Sequence, residues 1–345
     1  CTAEVSLAEK LLEINPWADM VKFARSGGEA NAIAIRIARA TTGKDKIAIC
    51  GYHGWHDWYL AANLKKKDNL DNHLLPGLNP TGVPKVLKDT VFTFNYNNFE
   101  ELKKIINKNK NLAAIKLEPQ RNDLPKNGFL EKVRKLATDK KLILIIDECT
   151  AGFRETFGGL HKKFNLKPDM AIYGKAIANG FPLTAIVGTK EVMENAQDTF
   201  ISSTFWSDSV GPTAALETLK IMENIKSWKT ITRIGKDIKK NWIKIAKDHD
   251  IEIKVNGISA LPNFTFNNRN NLVYKTFITQ EMLKKGILAN LSIYTSVSHS
   301  SQNLDKYFNE LNIIFSLIKK HEDNQKKIED LLEGPISNSS FKRLN

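Results

Sequence analysis

The chain has 345 residues, 42% of them apolar, and its 51 Lys and Arg against 38 Asp and Glu give a formal net charge of +13. That is enough apolar material for one large and one smaller globular domain. No run reaches the roughly 18 to 20 consecutive apolar residues of a membrane helix, because LILIIDE and NIIFSLIKK are both cut short by charge. Three scattered cysteines, Cys1, Cys50 and Cys149, form neither a disulfide framework nor a zinc motif, so no metal is expected and a reducing cytoplasm is the expected compartment.

The opening segment, CTAEVSLAEKLLEINPW, carries neither an initiator Met nor a signal-peptide pattern, and reads as a chain whose beginning is missing. From Met20 to about Lys190, short β-rich runs alternate with helical patterns. The predicted strands are MVKFAR, KIAIC, TVFTF, LAAIKLE, LILIID, MAIYG and TAIVG. Those between Lys46 and Asp147 lack polar alternation, as expected of strands covered on both faces. Helices fit at Glu29 to Thr42, Phe99 to Asn109 and Phe129 to Asp139, which makes an α/β fold around a mostly parallel seven-stranded sheet. AIAIRIARA alternates like a strand, but its alanines and the Gly43 stop favour a helix.

Several strand ends carry chemistry. In FARSGGEANA, Ser26, Gly27 and Gly28 precede a helix, where backbone N–H groups and the helix terminus can hold a phosphate, although plain turn chemistry also accounts for them. The stretch is neither a Walker loop nor a GxGxxG fingerprint. AICGYHGWHDWYL places Tyr52, His53, Trp55, His56 and Trp58 after a strand, either to stack on a flat ligand or as a packed aromatic cluster. LILIIDECTAGFR runs a buried strand into Asp147 and Glu148, where a carboxylate needs a cationic or hydrogen-bonding partner. In DMAIYGKAIANGFP, Lys175 follows a strand end among small residues. An amine desolvated there is a nucleophile for a carbonyl. A phosphate loop, an aromatic ring, a strand-end aspartate and a strand-end lysine together suit pyridoxal 5′-phosphate.

Beyond Gly211-Pro212 a helical stretch runs to about Ile225, and the remainder reads as an α+β layer with strands IEIKV, NFTFN and ILAN among helices. The expected domains are 1–225, 226–322 and a tail, 323–345. Lysines in EELKKIINKNK and IGKDIKKNWIKIAKDHD fall opposite Leu102, Ile105 and Ile106 or Ile234, Ile238 and Ile245, so the positive charge reads as solvated helix faces. A nucleic-acid surface is the alternative.

At these motifs, and from about Glu4 to Lys320, the sequence resembles the class III aminotransferases of fold type I, most of all the branch with glutamate-1-semialdehyde 2,1-aminomutase. The resemblance rests on FARSGGEANAIAIRIARATTGKDKIAICGYHG, LIIDECTAGFRETFGGLHKKFNLKPDMAIYGKAIANGFPLTAIVG and SSTFWSDSVGPTAALETL. It implies a homodimeric enzyme dependent on pyridoxal phosphate, acting on small molecules rather than nucleic acid or membrane.

Residue by residue, the resemblance implies that Lys175 forms the Schiff base and then moves the substrate proton. Asp147 holds the pyridine nitrogen protonated. Ser26, Gly27 and Gly28 bind the phosphate. Tyr52 with His53 lies against one ring face, and Cys149, where relatives usually have valine, against the other. Glu118 lies near the site, and Thr204 reaches the phosphate of the neighbouring subunit. Gly28 stands where many relatives have threonine, Thr150 where many have an amide or methionine, and EPQRNDLPKNGF is shorter than the family loop. The absent N-terminal segment supplies substrate-binding residues in relatives. Extra tryptophans point to a remodelled pocket, with a keto sugar or another small ketone as acceptor. The activity expected is transamination. The aminomutase reaction is the alternative, and a cofactor-free binding protein on the same fold is the alternative from another class.

Overall fold

The computed structural model describes residues 1–73, 75–267 and 269–338, which fall into two compact units, the first ending at Lys226 and the second starting at Ser227. In the first, α1 (Thr2–Ile14), β1 (Met20–Ala24), α2 (Gly27–Thr42), β2 (Lys46–Cys50) and the short α3 (Asp57–Leu60) are followed by β3 (Val91–Thr93), α4 (Phe99–Lys108), β4 (Leu112–Leu117), α5 (Phe129–Asp139), β5 (Ile143–Asp147), β6 (Met170–Tyr173) and β7 (Thr184–Gly188). A short α6 (Lys190–Met193) and α7 (Val210–Ile225) complete it. All seven predicted strands form, in the order β1-β7-β6-β5-β4-β2-β3, and β7 alone runs antiparallel to its neighbours.

The unbroken apolar runs follow from double coverage. Ile47, Ile49, Ile145 and Ile172 point to the face covered by α2, against Ala30, Ile33, Ala34 and Ile37. Ala48, Ile115, Leu117, Leu144 and Ile146 point to the other face, against Leu102 and Ile106 of α4 and Leu130 and Val133 of α5. Farther along that second face, Phe23, Tyr173 and Val187 meet Leu7 and Leu11 of α1 and Leu219 of α7. Each isoleucine so buried contributes roughly 1.5–3 kcal/mol relative to exposure, which outweighs the weak helix propensity of the isoleucines in AIAIRIARA once α2 docks. Helix α2 is framed as its sequence predicts: the Ser26 side chain accepts from Glu29 N–H, and Gly43 ends it with φ 64°.

The second unit holds α8 (Ser227–Asp248), an antiparallel pair of β8 (Ile253–Asn256) and β9 (Asn263–Phe266), α9 (Asn271–Lys284) and α10 (Ser301–Asp323). The predicted third strand, ILAN, is not a strand. Among the described residues, an isolated bridge from Asn263 to Ser292 and single bonds such as Phe264 N–H to Leu291 C=O join β9 to the residues just after that segment, and a turn at Gly286, φ 71°, turns the chain just before it. Of the predicted tail, residues 339–345 lie outside the described residues. Its earlier part packs, since Ile328 is buried in the core of the second unit and the Gln280 amide donates to Leu331 C=O at 3.0 Å. Among the described residues no helix is long and apolar enough to cross a membrane.

Candidate active site

The C-terminal ends of β2, β4, β5 and β6 and the first turn of α2 carry the singled-out side chains, as a parallel sheet requires of its ligand edge. Asp147 closes β5 with 3% of its surface exposed. Its Oδ2 lies 2.8 Å from His53 Nδ1 and 3.6 Å from Lys116 Nζ, and its Oδ1 accepts from the Cys149 N–H at 3.0 Å. Burial alone would raise the carboxyl, but the Lys116 charge, His53 and that N–H outweigh it and hold Asp147 well below the usual carboxylate range.

His53 is fully buried, and its Nε2 lies 3.2 Å from Cys50 C=O. Burial first, and the Lys116 charge second, push its imidazole down to about 4 against the pull of Asp147. A neutral ring has one N–H to give and two acceptors facing it. The charged one takes it, so His53 donates from Nδ1 to Asp147 and the contact with Cys50 is left without a proton.

Lys175 follows Gly174 and opens a 3₁₀ turn, Lys175–Ala178, in the left-handed region at φ 46°. Its amine donates to Thr150 Oγ1 at 2.8 Å. The sequence predicts a desolvated lysine. In the single chain the residue is exposed instead, because the turn leaves the sheet at its open edge. Lys175 and Asp147 nonetheless share neighbours: the charges of both act on the Cys149 thiol and on the Glu118 carboxyl. The Cys149 thiol is pushed up by burial of its sulfur and then by Asp147. Its Sγ lies between two glycines, 3.4 Å from where a Cβ on Gly27 would stand and 3.3 Å from one on Gly174.

Glu118, just past β4, accepts from Arg121 at 2.8 Å and from the Tyr52 N–H at 3.4 Å. Burial raises it and Arg121 opposes the rise. With Arg121, His73 and Tyr96 it lines a cavity of about 130 Å³ that Asp147 and Lys175 do not line. Tyr52 is half-buried and meets Tyr59 edge to face at 5.8 Å.

At the α2 terminus the Ser26 hydroxyl is used as the cap, and the Glu29 carboxylate accepts from Arg25 N–H, Ser26 N–H and Trp206 Nε1–H. The first-turn N–H groups of Gly27 and Gly28 remain as the donors that helix geometry leaves for an anion. Glycine at 28 has a local reason: a Cβ there would lie 2.9 Å from His56 Cδ2. Thr204 is exposed on a 3₁₀ turn, Thr204–Ser207, which Trp206 ties to Glu29. Two residues here escaped the sequence reading. Lys116 was hidden in an apolar run, and Arg121 in a loop without a pattern.

The model of the family "Aminotransferase class-III" matches residues 2–311. A 3-aminobutyryl-CoA aminotransferase of Cloacimonas acidaminovorans is 34% identical over 80% of this chain, which spans 64% of that relative's length. A glutamate-1-semialdehyde 2,1-aminomutase of Methanococcus maripaludis is 32% identical over 90% of this chain and 77% of its own. Among solved structures, the pyridoxal phosphate internal aldimine form of the Sphingopyxis FumI protein superposes with a TM-score of 0.84 over 96% of this chain and 78% of that one, at 22% identity. An omega-transaminase from Sphaerobacter thermophilus gives 0.80 over 91% and 78%, at 21% identity.

Proposed function

The chain belongs to the class-III aminotransferase family, and on that premise we propose that it moves an amino group from an amino donor to a keto or aldehyde acceptor, with Lys175 and Asp147 as the catalytic pair. Family membership implies pyridoxal 5′-phosphate as the cofactor. The observation that carries the proposal is a buried carboxylate held ionised at one strand end and a lysine amine at the next, acting on the same thiol and the same glutamate.

The residues present fit that cofactor. The glycines at 27 and 174 leave room beside Cys149 that side chains would occupy, the α2 terminus offers N–H donors, and Asp147 is an anion with lone pairs to spare. When bound, pyridoxal phosphate supplies a carbonyl carbon for amines and a ring that draws electrons from the substrate's α-carbon. Gly27 and Gly28 would receive its phosphate, with Ser26 shaping the turn. Tyr52 and Cys149 would flank the ring, Asp147 would hold the proton on its nitrogen, and Glu118 would border the substrate side.

His53 would act through Asp147, because its one proton is already committed to that carboxylate. Lys175 would take the α-proton and return it at the neighbouring carbon, and the Thr150 hydroxyl, 2.8 Å away, would aim the amine. Thr204 would serve the neighbouring subunit's phosphate in a homodimer. The test is cofactor uptake by the purified chain. Borohydride reduction should fix the cofactor to Lys175, as read by peptide mass, and Lys175→Ala should lose both the visible absorbance and the transfer of amine. A colourless protein that takes up no added cofactor would overturn the proposal in favour of a binding protein on this fold.

A second reading is favoured by the aminomutases among the relatives at 30–32% identity. Here the amine moves within one substrate. Glutamate-1-semialdehyde supplied alone separates the two, since full conversion to 5-aminolevulinate without a keto acid would replace transamination by this reaction.

A further inference from the structure

None of the roles above uses Lys116. It sits in β4, whose six residues are all buried, on the face shared with Asp147, opposite Ile49 of β2 on one side and Ile145 of β5 on the other. Its side chain has no exposed surface. Its amine lies 3.6 Å from Asp147 Oδ2 and makes no hydrogen bond among the described residues. A buried ammonium without hydrogen bonds is held by opposite charge alone, and Asp147 is the carboxylate that supplies it. Cys149 and Glu118 also face it, and His53 meets the same Asp147 oxygen. Burial lowers the amine, and Asp147, Cys149 and Glu118 only partly restore it.

Resting on the cofactor assignment above, we propose that Lys116 is the counter-cation of Asp147 in the cofactor-free chain, and that a protonated ring nitrogen arriving at Asp147 replaces it, Lys116 releasing its proton to solvent. Two cations on one buried carboxylate repel each other. The ring N–H can donate directly to the carboxylate, whereas the ammonium at 3.6 Å does not, so the lysine is the one that gives up its charge. Neutral, its amine can stay among Ile49 and Ile145 at far lower cost than as an ion. The proton on the ring nitrogen comes in with the cofactor, and the proton from Lys116 goes to the buffer, so the exchange balances.

The experiment is calorimetry of the full chain with pyridoxamine 5′-phosphate, which lacks the aldehyde and so leaves Lys175 out, in buffers of different ionisation enthalpy. Its analogue with carbon in place of the ring nitrogen is the control. The wild-type chain should release about one more proton per site with pyridoxamine phosphate than with the analogue. Lys116→Met should abolish that difference. Lys116→Arg, whose charge cannot be given up, should bind pyridoxamine phosphate at least about tenfold more weakly than the wild type. Equal proton counts for the two ligands in the wild-type chain overturn the proposal without any variant having to fold, as does a Lys116→Met count that matches the wild type. If neither ligand binds, the cofactor assignment fails instead, and the proposal falls with it.

Discussion

The neutral state of His53 makes acid sensitivity of the first unit the most direct probe of the site's electrostatics. Burial and Lys116 put the imidazole at about 4 in the folded chain, against 6.5 ordinarily. A group whose folded pKa is lowered binds fewer protons folded than unfolded, so the stability is complete above the unfolded value and falls as pH drops from there toward the folded one. Between about pH 7.5 and about pH 5 the unfolded chain gains the proton and the folded chain does not, a loss of about 2 kcal/mol. Asp147 acts outside this window. Its folded carboxyl lies well below the ordinary value of 3.8, so its contribution is complete above about pH 5 and is lost only as the pH falls below 3.8 toward the folded value. His73, also lowered by burial, adds a loss of the same sign, which makes the comparison with a variant necessary. His53→Asn keeps an amide donor for Asp147 but cannot titrate. Urea midpoints of both proteins, by far-UV circular dichroism, should show the wild type losing about 2 kcal/mol more than the variant between those two pH values. Equal losses would refute a buried neutral His53.

Gly235 in α8 should be intolerant of alanine although helix propensity favours the change by about 1 kcal/mol. A Cβ there would stand 1.6 Å from Ser259 C=O, so Gly235→Ala should lower the unfolding free energy of the second unit, read by urea titration, by about 1–3 kcal/mol, and a gain would refute the close approach. At Lys175, φ 46° strains any residue with a Cβ. Lys175→Gly should therefore be more stable than Lys175→Ala by about 1 kcal/mol, both having lost the Thr150 contact, and equal midpoints would show that the backbone there carries no strain.

The large sheet was legible because its signal is simple: strands buried on both faces must be nearly apolar throughout, and the central runs, from KIAIC to LILIID, stand out in that way. The same rule could have exposed Lys116. In a strand covered on both sides every residue is buried whichever way it points, so a lysine in LAAIKLE must find an anion, and Asp147, at the end of the predicted strand LILIID, is a natural partner. Reading the run as uniformly apolar discarded that information. ILAN failed for a different reason. Its residues suit a strand, but a strand exists only where a neighbour offers a continuous ladder, and the isolated bridge and single bonds among the described residues are no ladder. The exposure of Lys175 was equally out of reach, because the motif fixes the residue and the turn after Gly174 decides how far it stands from the sheet.

The glycines of the α2 turn and of the loop after β2 let two stretches of backbone meet. Gly54 has φ 101°, and a Cβ on it would meet Gly28 Cα at 2.9 Å, while a Cβ on Gly28 would meet the ring of His56. The loop after β2 therefore rests directly on the first turn of α2, with no side chain between them. A side chain at 28 would have to displace the His56 ring, on the same loop that carries Tyr52 and the Asp147 partner His53. The N–H groups of Gly27 and Gly28 at this terminus are left uncovered by any side chain of their own.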